Sequence, residues 1–171
     1  YCLFHARPFA TKPVCISGPV VTVYLDLEAT GLDVARDRIC EIAATQGQDD
    51  PHIPGGCYAE VVYVPEEILR TPGAQAAARV HGIPEGDIVT GTPFPIAWTR
   101  FLSFTEAVLN TVIHESNGES EDESPVQLRP PDDPPSRLVC AHNGHRFDFA
   151  MLLFECERHK LPMTPFRRWF F

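Results

Sequence analysis

The run Val20-Val-Thr-Val-Tyr-Leu-Asp-Leu27 is β-branched and almost continuously apolar, with acids appearing only at its end. Such a run reads as a central strand covered on both faces, because a strand with one wet face alternates apolar and polar residues. A central strand needs neighbours. Arg38 to Thr45 and Cys57 to Val64 are two further strand candidates, and the Pro/Gly-rich linker Gln48 to Gly56 between them predicts a three-stranded antiparallel meander. The period then changes. Ala74 to Val80 is rich in helix formers, and Pro93 to His114 places Ile96, Ala97, Phe101, Phe104, Val108 and Ile113 close to a 3.6-residue repeat. Arg137 to Ala141 predicts a short buried strand. Phe147 to His159 predicts a helix with Phe149, Leu152, Leu153 and Cys156 on its inner side. The order βββ-α-α-β-α is mixed α/β and not a series of βαβ units.

At 171 residues and 44% hydrophobic content, the chain fits one domain with one core. It contains no run of about 20 apolar residues, the length a membrane helix requires, and its start lacks the order of a signal peptide, so no membrane partner is expected and an intracellular, nuclear or cytoplasmic, location is. Six scattered cysteines without a C-x-x-C pair read as buried free thiols. Of the net charge of −9, −6 falls between Glu115 and Ser136, which leaves −3 for the remainder and weakens the case against a nucleic-acid partner. That acidic, Pro/Ser-rich stretch, 115–136, reads as a disordered insertion, and its prolines Pro130, Pro131, Pro134 and Pro135 as spacers that keep it extended. Residues 1–19 read as an extension preceding a domain over 20–171. The apolar ending Trp169-Phe-Phe171 suggests a C-terminal truncation, since nothing after it completes its burial.

The chemistry concentrates at the end of the first strand. Asp26 and Glu28 are two apart, so their carboxylates project to one side. Two acids held together raise each other's pKa unless a cation stands between them, and a hard divalent ion with oxygen ligands, Mg²⁺ or Mn²⁺, suits that position. Read in isolation, D-x-E at a strand end favours a plainer reading, with Asp26 capping a helix or turn and Glu28 a solvated strand-end residue. His142 and His145 with Asp148 invite a zinc reading, but no convincing fourth ligand accompanies them. Phe94, Trp98, Phe101 and Phe104 have helical spacing and read as core, not as a base-stacking platform.

Leu25-Asp-Leu-Glu-Ala-Thr-Gly-Leu32 and Val139-Cys-Ala-His-Asn-Gly-His-Arg-Phe-Asp-Phe149 resemble the first two motifs of the DEDD (DnaQ-like) 3′→5′ exonucleases, most closely the TREX-type DNA exonucleases. Ala78-Arg-Val-His-Gly-Ile83 is similar to the family's V-H-G-[IL] segment between those motifs. The resemblance implies an RNase H-like mixed sheet, the meander plus a parallel strand, flanked by helices. It also implies a two-metal site in which Asp26 bridges both ions, Glu28 ligates one and helps place the attacking water, and Asp148 completes the second. Ala29 and Leu32 fall where the family holds and wedges the 3′-terminal nucleotide, His81 near that nucleotide, and Asn143 and Arg146 beside the strand backbone. A core position competes for Leu32, and a solvated helix start for Arg146. The implied partners are single-stranded DNA or the 3′ ends of duplex DNA, with a homodimer by family likeness.

The family's third motif, H-x(4)-D or Y-x(3)-D, supplies a general base and a last metal ligand. The roughly twenty residues after Asp148 contain no aspartate, and Glu155 and Glu157 read as solvent-facing residues of the second motif's helix. Two alternatives therefore stay open beside a DNA exonuclease: a catalytically impaired nucleic-acid-binding or protein-interaction module, and an RNA-trimming exonuclease.

Overall fold

The computed structural model describes residues 20–47, 56–116, 136–162 and 169–170. The strands are β1 (Val20–Ala29), β2 (Ile39–Gln46), β3 (Cys57–Val61), β4 (Ser136–Ala141) and β5 (Trp169–Phe170). The helices are α1 (Glu66–Leu69), α2 (Pro72–His81), α3 (Glu85–Val89), α4 (Phe94–Ser116) and α5 (Asp148–Arg158). The sheet order is β3-β2-β1-β4-β5. Strands β1, β2 and β3 form the antiparallel meander, and β4 runs parallel to β1, giving the expected RNase H-like mixed α/β sheet. The terminal apolar residues that suggested a truncation contribute a further parallel strand, pairing Trp169 and Phe170 with Arg137 and Leu138. The extension 1–19, most of the linker after Gln46 and most of the acidic insertion, with its prolines, lie outside the described residues.

Alternate side chains of β1 (Val21, Val23, Leu25, Leu27) are buried, joined by Ile42 and Ala44 of β2. Against them pack Phe94, Ala97, Trp98, Phe101 and Val108 of α4 and Phe149, Met151, Leu152 and Cys156 of α5. Tyr58 of β3 ties α4 to the sheet, donating its hydroxyl to the Ala97 carbonyl at 2.8 Å while its ring meets Phe101. Burial there and the Glu60 carboxylate push the Tyr58 phenol well above its ordinary value. A smaller core of Cys40, Val64, Leu69 and Ile88 lies under α1 and α3.

Several expectations are corrected. β1 is covered on one face among the described residues: Tyr24, on the opposite face, is 53% exposed. Thr22 and Tyr24 made the run look uniformly buried because both are good strand formers whether wet or dry. Ile96 and Leu153 are substantially exposed, each one step off the stripe its helix buries. Glu155, expected in solvent, is 1% exposed, because Asp148, Met151, Leu152 and Glu155 recur at the spacing of a single helix face. Of the described cysteines, all free, Cys40 and Cys156 are buried and burial pushes their thiols up to about 12, whereas Cys57 is exposed.

Candidate active site

β1 delivers Asp26 and Glu28 to the same side of the sheet, with Ala43 and Glu41 of β2 opposite them. The pairing with β2 shifts register between Glu28 and Ala29; Ala29 continues the buried face of alternate β1 residues, and a loop begins at Thr30. Burial, then the neighbouring Asp26 carboxylate, holds Glu28 above its ordinary acid range; Glu41 adds to this and His81 opposes it.

The second acid-bearing segment approaches from α5. Asn143 adopts a left-handed φ of 54°, and its carbonyl accepts from the N–H groups of Arg146 and Phe147, closing the turn that starts the helix. Gly144 is buried where an added Cβ would stand 2.7 Å from the Phe149 ring and 2.8 Å from the Ala141 side chain, so glycine lets the turn sit flat against both. This places Asp148 at the helix start, buried, with Oδ1 accepting the Leu27 N–H at 3.2 Å. Burial raises the Asp148 carboxyl above its usual range, and the nearby Asp26 charge raises it further, against backbone N–H groups that lower it. The Asp26 charge thus raises both other acids.

The donor set is all carboxylate, and Glu28 and Asp148 are destabilised as anions, which is the chemistry a hard divalent cation answers. Asp26, Glu28 and Asp148 are the residues that would hold such an ion. Among the described residues, no three His, Cys, Asp or Glu side chains stand close enough to form a ready metal cage in this conformation. His142 and His145, the histidines of the zinc reading, are both exposed.

A cavity of about 640 Å³ opens beside Glu28 and Ala29, walled by Leu32 of the β1–β2 loop and by Ala76, Val80 and His81 of α2. Leu32 is 85% exposed, which rules out its core reading. His81 ends α2, and Gly82 follows with φ 72°, the left-handed cap that terminates a helix. The His81 Nδ1 accepts the Ile83 N–H at 3.0 Å, which leaves Nε2 to carry the ring proton when the imidazole is neutral. V-H-G-I is therefore a helix-ending unit that fixes one imidazole tautomer beside the cavity. Asn143 and Arg146 are exposed on the neighbouring turn.

The loop after β1 is braced by a residue that sequence reading passed over. Asp37 accepts from the Thr30 hydroxyl at 3.2 Å and the Asp33 N–H at 2.8 Å, and its carboxylate fills the space a side chain at Gly31 would need. Thr30 in turn accepts the Arg38 N–H. The signal was an aspartate preceding a strand in a Gly-containing loop, which is indistinguishable in sequence from an ordinary turn.

Comparison with curated proteins finds no match. Among solved structures, similarity extends to product-bound exonuclease I (18% identity, TM-score 0.44, covering 78% of this chain and 24% of that one). It extends also to Escherichia coli exonuclease I in complex with a dT13 oligonucleotide (18% identity, TM-score 0.43, covering 77% and 22%). This chain thus spans less than a quarter of the length of either. The family profile described as Exonuclease, of RNase T type, matches residues 23–118, more than half of the sequence and including Asp26, Glu28, Ala29, Leu32 and His81. The chain belongs to that exonuclease family.

Proposed function

We propose that the protein is a divalent-metal-dependent 3′→5′ exonuclease that releases nucleotides from DNA ends, single-stranded or at the 3′ ends of duplexes, in the manner of the TREX-type enzymes. The observation that carries this reading is the adjacency of a nucleotide-sized, largely apolar cavity to Glu28, itself coupled through Asp26 to Asp148. In this reading the terminal base lies against Ala29 and Leu32, and the scissile phosphate faces the acids. Two ions of the Mg²⁺ or Mn²⁺ type, when bound, supply a lowered water pKa and neutralise the phosphoryl oxygens. The chain's own residues do the rest: Asp26, Glu28 and Asp148 provide the anionic cradle, and the Leu32 loop orients the end. His81 presents a proton donor toward the cavity, and Asn143 and Arg146 present polar groups to the phosphate backbone.

The absence of a ready three-ligand cage among the described residues favours a second reading, a catalytically impaired nucleic-acid-binding module. One experiment separates the two. In the full-length protein, Mg²⁺-dependent release of mononucleotides from a 3′-labelled single-stranded DNA is expected, and Asp26→Asn is expected to abolish it with the fold intact. DNA binding without release in the wild type selects the binding module. Preferential release from a matched RNA oligonucleotide selects the RNA-trimming alternative.

A further inference from the structure

Glu155 is a buried acid outside the carboxylate cluster, and it is the most heavily paired side chain on α5. Its Oε1 accepts from Arg38 Nε at 2.6 Å and Arg158 Nη1 at 2.7 Å; its Oε2 lies 3.3 Å from Arg38 Nη2 and 3.4 Å from His159 Nε2. Those partners belong to different parts of the site. Arg38 immediately precedes β2 and follows Asp37, so it sits at the end of the braced loop that carries Leu32. Arg158 reaches the same loop directly, donating from Nη2 to the Ala35 carbonyl at 3.1 Å. His159 stacks on Phe94 at the start of α4, with ring centroids 5.4 Å apart.

Asp148 and Glu155 are seven residues apart on one helix, so both project from the same face two turns from each other. The helix is therefore fastened to the sheet at two points: Asp148 to the Leu27 N–H of β1, and Glu155 to Arg38 at the edge of β2. Two such fastenings fix both the rotation of α5 about its axis and its height along the sheet. An Arg fork on a buried carboxylate is directional, which a packed leucine would not be.

We propose that Glu155 is a positioning residue that sets Asp148 and the Leu32 loop in register with each other, linking the metal-binding side of the site to the nucleotide cavity. The link to metal and nucleotide rests on the function proposed above; the mechanical part, Glu155 holding Asp148 against Leu27, does not. Glu155 touches neither substrate nor ion and acts through α5 and through Arg38 and Arg158.

The test uses the full-length, metal-free protein and amide hydrogen exchange, followed by Mn²⁺ titration with thymidine 5′-monophosphate as the probe. Glu155→Gln is expected to speed exchange at the Leu27 amide by about tenfold and to weaken Mn²⁺ binding by a similar factor, the size typical of lost support behind metal ligands. Ile88→Ala, in the separate small core, serves as a destabilised control that leaves both unchanged. The double variant Arg38→Gln with Glu155→Gln should recover part of the loss, because it removes one of the two guanidinium charges that Glu155→Gln leaves without a carboxylate and lets two neutral amides pair. Should Glu155→Gln not fold, Arg38→Lys, which keeps the charge and loses the fork, is expected to raise Leu27 exchange by a smaller factor. Unchanged Leu27 exchange in the Glu155 and Arg38 variants, or an equal rise in Ile88→Ala, overturns the proposal. Faster Leu27 exchange in the variants, together with a wild-type protein that binds no Mn²⁺, upholds the positioning role and overturns the metal reading of Asp148.

Discussion

Asp148 Oδ1 accepts the Leu27 N–H two residues beyond Leu25, the last β1 residue paired with β4. The carboxylate thus substitutes for a strand that has ended, satisfying a buried backbone donor while its charge stays close to Asp26. The two roles are separable by substitution. Asp148→Asn keeps an acceptor oxygen and should change stability by no more than about 1 kcal/mol, whereas Asp148→Ala orphans the donor and should cost about 1–3 kcal/mol. Urea unfolding of both variants measures the first role. Mn²⁺ titration measures the second, which both variants should lose.

The raised carboxyls give the metal-free protein a definite pH response. Glu28 and Asp148 have folded pKa values above their ordinary 4.5 and 3.8, so between the ordinary and the folded values the native state binds more protons than the unfolded chain. Stability from these two groups is fully present below the ordinary values and is lost as pH rises through the folded ones. Thermal unfolding of wild type against Asp148→Asn should therefore diverge in that acid window, the wild type losing stability with rising pH more steeply. Added Mg²⁺ should oppose the loss above the window. Parallel wild-type and variant curves would show that burial and the Asp26 charge do not raise the Asp148 carboxyl.

Gly144 is fixed by space and not by φ. Gly144→Ala drives a methyl group to within 3 Å of the Phe149 ring and the Ala141 side chain, and both belong to the packing around the start of α5. Overpacking of this kind costs about 1–3 kcal/mol. The measurable signature is a lower urea midpoint with an unchanged slope. A neutral substitution would show that the turn has more room than its atoms indicate.

Much of this architecture was legible in the chain because its signals are local and periodic. The β1 run, the meander and the long amphipathic α4 all follow from spacing, and Asp26 and Glu28 share a side by strand alternation alone. The open face of β1 was not legible, since Thr22 and Tyr24 suit a strand on either a wet or a dry face. Glu155 was missed because acidity outweighed position; its seven-residue separation from Asp148, together with Phe149 and Leu152 at core spacing, was the available signal. The Asp37 brace and the His81–Ile83 bond depend on loop geometry that no residue pattern encodes. Leu32 could be read either as core or as wedge, and its exposure settled only that it is not core.

That exposure makes Leu32 the cleanest probe of the cavity. A side chain 85% exposed contributes little to folding, so Leu32→Ala should leave stability within about 0.5 kcal/mol of the wild type. Its position on the cavity wall predicts a different outcome for ligand. A single-stranded oligonucleotide ending in a 3′ fluorescent base analogue should bind the variant about tenfold more weakly, the scale of losing the roughly 1.5–3 kcal/mol that burying a leucine side chain contributes. The same base analogue moved to the 5′ end serves as the control, because contacts at Leu32 concern the terminal nucleotide alone. Equal fluorescence changes for both placements in the wild type, or unaltered affinity in Leu32→Ala, would remove the cavity from the binding site and leave the acids of β1 without their neighbouring pocket.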